Sequence, residues 1–249
     1  MLIKEDCADI KVLYVEDDQV TRDITLRMLK RYFNNITTAI DGLDGLEKAK
    51  KQKYDLILTD LNMPKLTGVG MLKAIAEINK DIYTIVVSAN SDHKSFEETI
   101  ELGVKGYILK PINMRQFISA LENAVKNINA SKQINILLQY KDLVDHASIV
   151  SKSDKNGFIT FTNDKFSEIS GYTKEELIGL PHTTVRDPDV PKSVFRDLWK
   201  TIKNKKIWNG QIKNRRKDGS NYWVEVTISP TFDSSGTKVG RSEERRVGK

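Results

Sequence analysis

One cysteine and three histidines are all that 249 residues offer to disulfide or soft-metal chemistry. Cys7 can form no internal disulfide and cannot build a cysteine-rich zinc site, and three histidines weigh against a His-based metal centre. Long apolar runs are missing as well. No stretch approaches the roughly 18 consecutive apolar residues of a membrane span, and the start, Met1-Leu2-Ile3-Lys4-Glu5-Asp6, lacks the apolar core of a signal peptide. These absences predict a cytoplasmic protein with no membrane span. What is present, 39% apolar and 30% charged residues, is the mix of soluble globular protein, and the length allows two ordinary domains.

The net charge of +6 is unevenly spread. Residues 1–127 hold 18 Lys and Arg against 19 Asp and Glu, whereas residues 128–249 hold 22 against 15. The second half carries the basicity. Lys213, Arg215, Arg216 and Lys217 read either as a solvated hairpin face or as a patch for nucleic acid or acidic lipid. No helix-turn-helix candidate accompanies them, so a DNA-binding regulator is the weaker reading.

Between Lys11 and Lys126 short apolar runs alternate five times with amphipathic stretches. The runs are Val12–Val15, Ile36–Ile40, Tyr54–Thr59, Tyr83–Val87 and Gly106–Leu109. Ile24, Met28 and Tyr32 recur at helical spacing between them, as do Leu72, Ile75 and Ala76, and later Met114, Phe117, Ile118, Leu121 and Val125. The pattern predicts an α/β domain over residues 8–127, a doubly wound five-stranded parallel sheet. Residues 128–147 read as a connecting helix, either a lone linker or a short coiled coil that pairs with a second copy. From residue 148 short strands and turns take over, with Asp218-Gly219 as a hairpin turn, which predicts an α+β domain with an antiparallel sheet over residues 148–240.

Doubly wound sheets present their chemistry at the carboxyl ends of the strands. Glu16 and Asp17 follow the first run and Asp60 closes the third. Three converging carboxylates suit a hard, oxygen-loving cation such as Mg²⁺, which relieves their repulsion and screens an incoming phosphoryl group. One carboxylate can then act as nucleophile. Ser88 and Lys110 end the fourth and fifth strands and supply a hydroxyl and an ammonium for phosphoryl oxygens. Taken singly, acidic residues after a strand are often helix caps and a Lys before a Pro is often solvated; the five together fit no such reading.

Val15-Glu16-Asp17-Asp18, Thr59-Asp60-Leu61-Asn62-Met63-Pro64 with Gly68, Ser88-Ala89 and Lys110-Pro111 resemble the motif set of CheY-like response-regulator receivers. The resemblance implies that Asp60 accepts a phosphoryl group from a histidine kinase or phosphotransfer protein. It also implies that Asp17 and Asp60 bind Mg²⁺ directly, Glu16 through water, and Asn62 through its backbone carbonyl. A cis bond before Pro111 and an inward turn of Tyr107 when Ser88 moves are implied in the same way; Tyr107 also reads as a plain half-buried strand residue.

Asn156 to Asn163, then Ser170 to Gly179, resemble the opening of a PAS domain, and Arg215 to Trp223 its closing hairpin. Thr173 and Glu176 form a capping-box pattern before Leu177. His182, Val185-Arg186, Leu198-Trp199 and Trp208-Asn209-Gly210 are similar to the flavin-holding PAS of aerotaxis receptors, although Asp187 stands where that group has histidine. This resemblance implies FAD, with Asn163, Arg186 and Trp199 contributing to its pocket. The alternative is an empty PAS domain in which Trp199, Trp208 and Trp223 are core or sheet aromatics. His182 reads as a local packing residue rather than a heme ligand.

Residues 241–249 carry six charges where a last apolar strand belongs. They resemble a vector-derived run, so a non-native tail and a missing last strand are expected there. The function expected from the whole is two-component phosphorelay signalling. A receiver is coupled to a PAS sensory or dimerisation module, with no enzymatic activity of its own and with the effector absent or truncated. The competing reading is a Mg²⁺-dependent phosphohydrolase with an aspartyl-phosphate intermediate, in which a second carboxylate usually follows the nucleophile by two residues; Asn62 occupies that position.

Overall fold

The computed structural model describes residues 4–89 and 93–247, and the chain divides into two units after Asn135. In the first, a short helix α1 (Lys4–Cys7) precedes an alternating series. It runs β1 (Lys11–Val15), α2 (Gln19–Leu29), β2 (Asn35–Ala39), α3 (Gly42–Lys51), β3 (Leu56–Asp60) and α4 (Gly68–Ile78), then β4 (Tyr83–Ala89), α5 (His93–Glu101), β5 (Gly106–Lys110) and α6 (Met114–Ala147). The strands are parallel in the order β2-β1-β3-β4-β5. Because side chains alternate along a strand, each one feeds two apolar layers. Val12, Tyr14, Leu56, Leu58, Ile85 and Val87 pack with Leu29, Phe117 and Leu121 on one face. Leu13, Val15, Ile57 and Val86 pack with Met71, Leu72 and Ile75 on the other. Asp18, Asp41 and Thr67 each cap the helix that follows, Asp18 and Asp41 shortly after their strands and Thr67 after the longer loop that leaves β3.

The second unit contains β6 (Ile149–Asp154), β7 (Ile159–Thr162), α7 (Asp164–Ser170), α8 (Lys174–Leu177), a 3₁₀ turn (His182–Val185), α9 (Lys192–Lys203), β8 (Trp208–Arg215), β9 (Asn221–Phe232) and β10 (Lys238–Val247). The sheet is antiparallel, ordered β7-β6-β10-β9-β8. One face buries Ile149, Ile212, Val224, Val226 and Ile228 against Phe166, Leu177, Leu198 and Ile202 from the helices. Gly219, with φ +88°, makes the turn between β8 and β9 at the expected Asp218-Gly219. The Thr173–Glu176 capping box forms as its pattern predicts.

The stretch 128–147, read as a connecting helix, is helical and continues α6, which runs unbroken from Met114 because neither Gly nor Pro interrupts it. One expectation is corrected: the last strand of the second sheet is present, and β10 pairs with both β6 and β9. Its alternate residues Arg241, Glu243 and Arg245 are charged and yet only 8%, 3% and 4% exposed, so hydrophobic alternation gave no sign of it. Gly248 and Lys249 of the suspected tail lie outside the described residues.

Candidate functional site

Parallel register sets Val15 beside Thr59, Asp60 beside Val87 and Ser88 beside Leu109, which brings Glu16, Asp17, Asp60, Ser88 and Lys110 to one edge of the first sheet. Carboxylate oxygens of Glu16, Asp17 and Asp60 lie within 4.8 Å of one another. Glu16 is 1% and Asp60 7% exposed, while Asp17 is open to solvent. The Lys110 ammonium donates to both Glu16 oxygens, at 3.1 and 3.2 Å, and to Asp60 Oδ2. Burial raises the Glu16 pKa; Lys110 opposes that shift and the charges of Asp60 and Asp17 add to it. Burial alone would lower Lys110, but its bonds to Asp60 and Glu16 outweigh this and raise it. Among the described residues Lys110 is the one cation bonded to these carboxylates, which leaves the cluster short of positive charge. A set of hard oxygen donors in that state is chemically suited to a divalent ion such as Mg²⁺.

The scaffold around the cluster is built from backbone bonds. Arg22 on α2 donates Nη1 to the carbonyls of Glu16 at 2.7 Å and Asp17 at 3.1 Å, holding the turn that presents both carboxylates. The Asn62 amide donates to Asp60 Oδ1 at 3.2 Å. Gly68 packs so closely that a Cβ there would sit 2.1 Å from the Asp60 carbonyl oxygen. Lys110 precedes Pro111 through a cis peptide bond. Ser88 Oγ donates to the Ala89 carbonyl at 3.2 Å. Tyr107 donates its hydroxyl to Oγ1 of the buried Thr99 on α5 at 2.8 Å, so its ring is partly buried against the second apolar layer. Arg22 and Thr99 are the participants that sequence reasoning missed. Arg22 acts on carbonyl oxygens and Thr99 through one hydroxyl, and neither leaves a trace in a side-chain pattern.

In the second unit, Arg186 and Trp199 do line one cavity, together with His182, Phe195, Leu198 and Asn214. Arg186 stacks on Phe195 at 3.5 Å, and its buried Nε has no hydrogen-bond partner among the described residues. Asp187 is buried, accepts from the Asp189 amide at 2.8 Å and lies 3.3 Å from the Lys213 ammonium; the amide bond and then Lys213 lower its pKa.

Asn163 does not line this cavity, contrary to the expectation for it. Its Nδ2 donates to the carbonyls of Asp145 and Ser148 at 2.9 and 2.8 Å, and its Oδ1 accepts from the amides of Val150 and Phe166 at 3.0 and 3.1 Å. All four bonding directions of the amide are thus taken by backbone. His182 is packed locally, edge-on to Phe166 and 3.0 Å from Ser151 Oγ. Burial pushes its pKa down to about 4.

The cavity has a volume of about 100 Å³. Sites for drug-sized ligands or cofactors typically have about 300–1,000 Å³. With β10 as it stands, the residues present do not accommodate FAD.

A family model described as "Response regulator receiver domain" matches residues 12–122, and one described as "PAS fold" matches residues 159–241. The chemotaxis protein CheY of Treponema pallidum is 30% identical over 126 residues, covering 49% of this chain and 88% of that protein. The aerotaxis receptor of Escherichia coli K12 is 46% identical over 92 residues, covering 37% of this chain and only 18% of the receptor. A solved N-terminal domain of an uncharacterized protein from Wolinella succinogenes is 36% identical, covering 49% of this chain and 98% of that one, with a TM-score of 0.46.

Proposed function

Because the chain belongs to the response-regulator receiver family and carries a PAS domain behind its receiver, we propose that it takes a phosphoryl group onto Asp60 from a histidine kinase or phosphotransfer protein. The observation that carries this reading is the carboxylate cluster with Lys110 bonded to Asp60 at the carboxyl edge of the sheet. In the proposed step an Asp60 oxygen attacks phosphorus while the bond to the donor's nitrogen breaks, and the leaving imidazole retains the electron pair. Lys110 moves from carboxylate to phosphoryl oxygens, and the Ser88 hydroxyl turns toward them. Glu16, Asp17 and Asp60, with the Asn62 carbonyl, would hold Mg²⁺, which when bound screens the charge between the nucleophile and the phosphoryl group. Tyr107 is proposed as the reporter of Ser88, its partly buried bond to Thr99 supporting an inward position. The match to the receiver model and to a CheY does not favour the phosphohydrolase reading.

For the second domain we propose a sensory or dimerisation role. Arg186 and Trp199 support a flavin-type ligand by chemistry, but the volume of the cavity opposes it. Exposed Ile136, Leu137, Tyr140 and Leu143 on α6 support pairing with a second copy. Charged residues at the inward positions 241, 243 and 245 support the proposal that residues 241–249 are foreign to the native chain; sequencing the coding locus through this stretch tests it.

Reductive trapping of the acyl phosphate, followed by peptide mapping, tests the central reading. Label confined to the peptide that holds Asp60 is expected; label on another residue overturns it.

A further inference from the structure

We infer that Lys65 and Asp41 form a latch that holds the β3–α4 loop on the start of α3, and that Lys65 is thereby a positioning residue for phosphoryl acceptance, fixing the segment that carries Asn62. This role rests on the proposed reading of the acidic cluster as a Mg²⁺-assisted phosphoacceptor site.

Residues 61–67 join β3 to α4 and include Asn62, whose carbonyl is the one proposed metal ligand that no side chain supplies. Backbone conformation alone sets the direction of a carbonyl, and Mg²⁺ demands near-ideal octahedral geometry. The ligand therefore depends on the shape of the loop. Lys65 stands in that loop at φ +64°, in the left-handed region that a lysine adopts only under strain. Such a conformation persists where its surroundings over-determine it.

Contacts on both sides of Lys65 do so here. The Lys65 ammonium donates to Asp41 Oδ2 at 2.6 Å. The Asp41 side chain is buried, and its other oxygen accepts from the Asp44 amide at 2.9 Å as the cap of α3. A Cβ on Gly42 would lie 2.2 Å from the Leu66 carbonyl oxygen, so the loop rests directly on the first turn of α3. At the end of the loop the Gly68 amide donates to the Leu61 carbonyl at 2.9 Å. α3 is itself fixed to the sheet: Lys48 donates to the Thr38 carbonyl of β2 at 2.8 Å, and a Cβ on Gly45 would meet Val15 of β1 at 3.2 Å. Close packing limits how near loop and helix can come, and the ion pair draws them together.

Mg²⁺ affinity of the full chain is measured by calorimetric titration, and phosphoryl acceptance from a small acyl phosphate is followed at limiting and at saturating Mg²⁺. Lys65→Met keeps the stem and removes the charge; Asp41→Asn keeps a capping oxygen and removes the charge from the other side. Each is expected to bind Mg²⁺ roughly tenfold more weakly, and to be labelled more slowly by a similar factor at limiting but not at saturating Mg²⁺. Lys65→Arg should stay within about twofold of wild type, and the Lys65→Met, Asp41→Asn double variant within about twofold of either single one. A pair that only stabilises the fold would lower the melting temperature and leave Mg²⁺ affinity unchanged, which overturns the inference. Additive losses in the double variant overturn it as well, and so does a wild type that binds no Mg²⁺. A wild type that binds Mg²⁺ but accepts no phosphoryl group refutes the Asp60 reading instead, and the titrations still decide the latch. Should Asp41→Asn not fold, Lys65→Met against Lys65→Arg decides, since the Lys65 side chain is exposed.

Discussion

At the receiver site, among the described residues, the Lys110 ammonium faces three carboxylates, and the balance is set by which of them are buried. Lys110 reaches Glu16 and Asp60, the two buried ones, and leaves Asp17 to solvent. It therefore supplies the charge that the buried pair needs most. His182 is the counterpart in the PAS domain, a titratable group that burial holds neutral, with a pKa of about 4 in place of 6.5. A group whose folded pKa is depressed binds fewer protons folded than unfolded between those values, so stability rises with pH through that window. Unfolding of the PAS domain, followed through Trp199, Trp208 and Trp223, should therefore show a loss of roughly 2 to 3 kcal/mol between pH 6.5 and 4.5. Glu243, held at about 2 because Arg245, His182 and Arg241 outweigh its burial, adds its own loss only below pH 4.5. His182→Gln should flatten the slope; an unchanged slope contradicts the assignment.

Residues of the acidic site were legible because the chemistry demands particular types at strand ends, and Glu16, Asp17, Asp60, Ser88 and Lys110 do meet there. Asn163 was not legible. An amide that bonds four backbone groups has the same letter as one that touches a ligand, and only the fold separates the two.

Among the elements, the five parallel strands followed from apolar runs and their spacing, and the β8–β9 hairpin from Asp218-Gly219. β10 escaped because its inward positions hold ions. The continuity of α6 was obscured by polar residues after Ile128, where the helix no longer has the receiver core to face. α9 was readable in principle, since Val194, Phe195, Leu198 and Ile202 follow helical spacing toward the PAS core. A buried Arg-Glu-Arg triplet on a central strand suffers a desolvation cost that its internal pairing rarely recovers. Replacing all three by Val or Ile should raise the stability of the PAS domain by about 1 to 4 kcal/mol in denaturant melts read by tryptophan fluorescence. A loss of similar size would mean that the ion pairs hold β10 in place.

For the whole molecule, receiver and PAS domain share α6, whose residues 136–143 expose Ile136, Leu137, Tyr140 and Leu143 to solvent. Such a face suits a partner helix, and a second copy supplies an identical one. Sedimentation at tens of micromolar should find dimers, and Leu137→Glu with Leu143→Glu should return monomers. A wild-type monomer at that concentration contradicts the proposed pairing.

The central claim, phosphoryl acceptance on Asp60, is tested most directly by intact mass after incubation with a small phosphodonor, with and without Mg²⁺, for wild type and Asp60→Asn. The account predicts one added phosphoryl group on the wild type with Mg²⁺, and none after chelation or in the variant. An adduct of equal yield on Asp60→Asn, or none on the wild type under conditions that label another receiver, would contradict it.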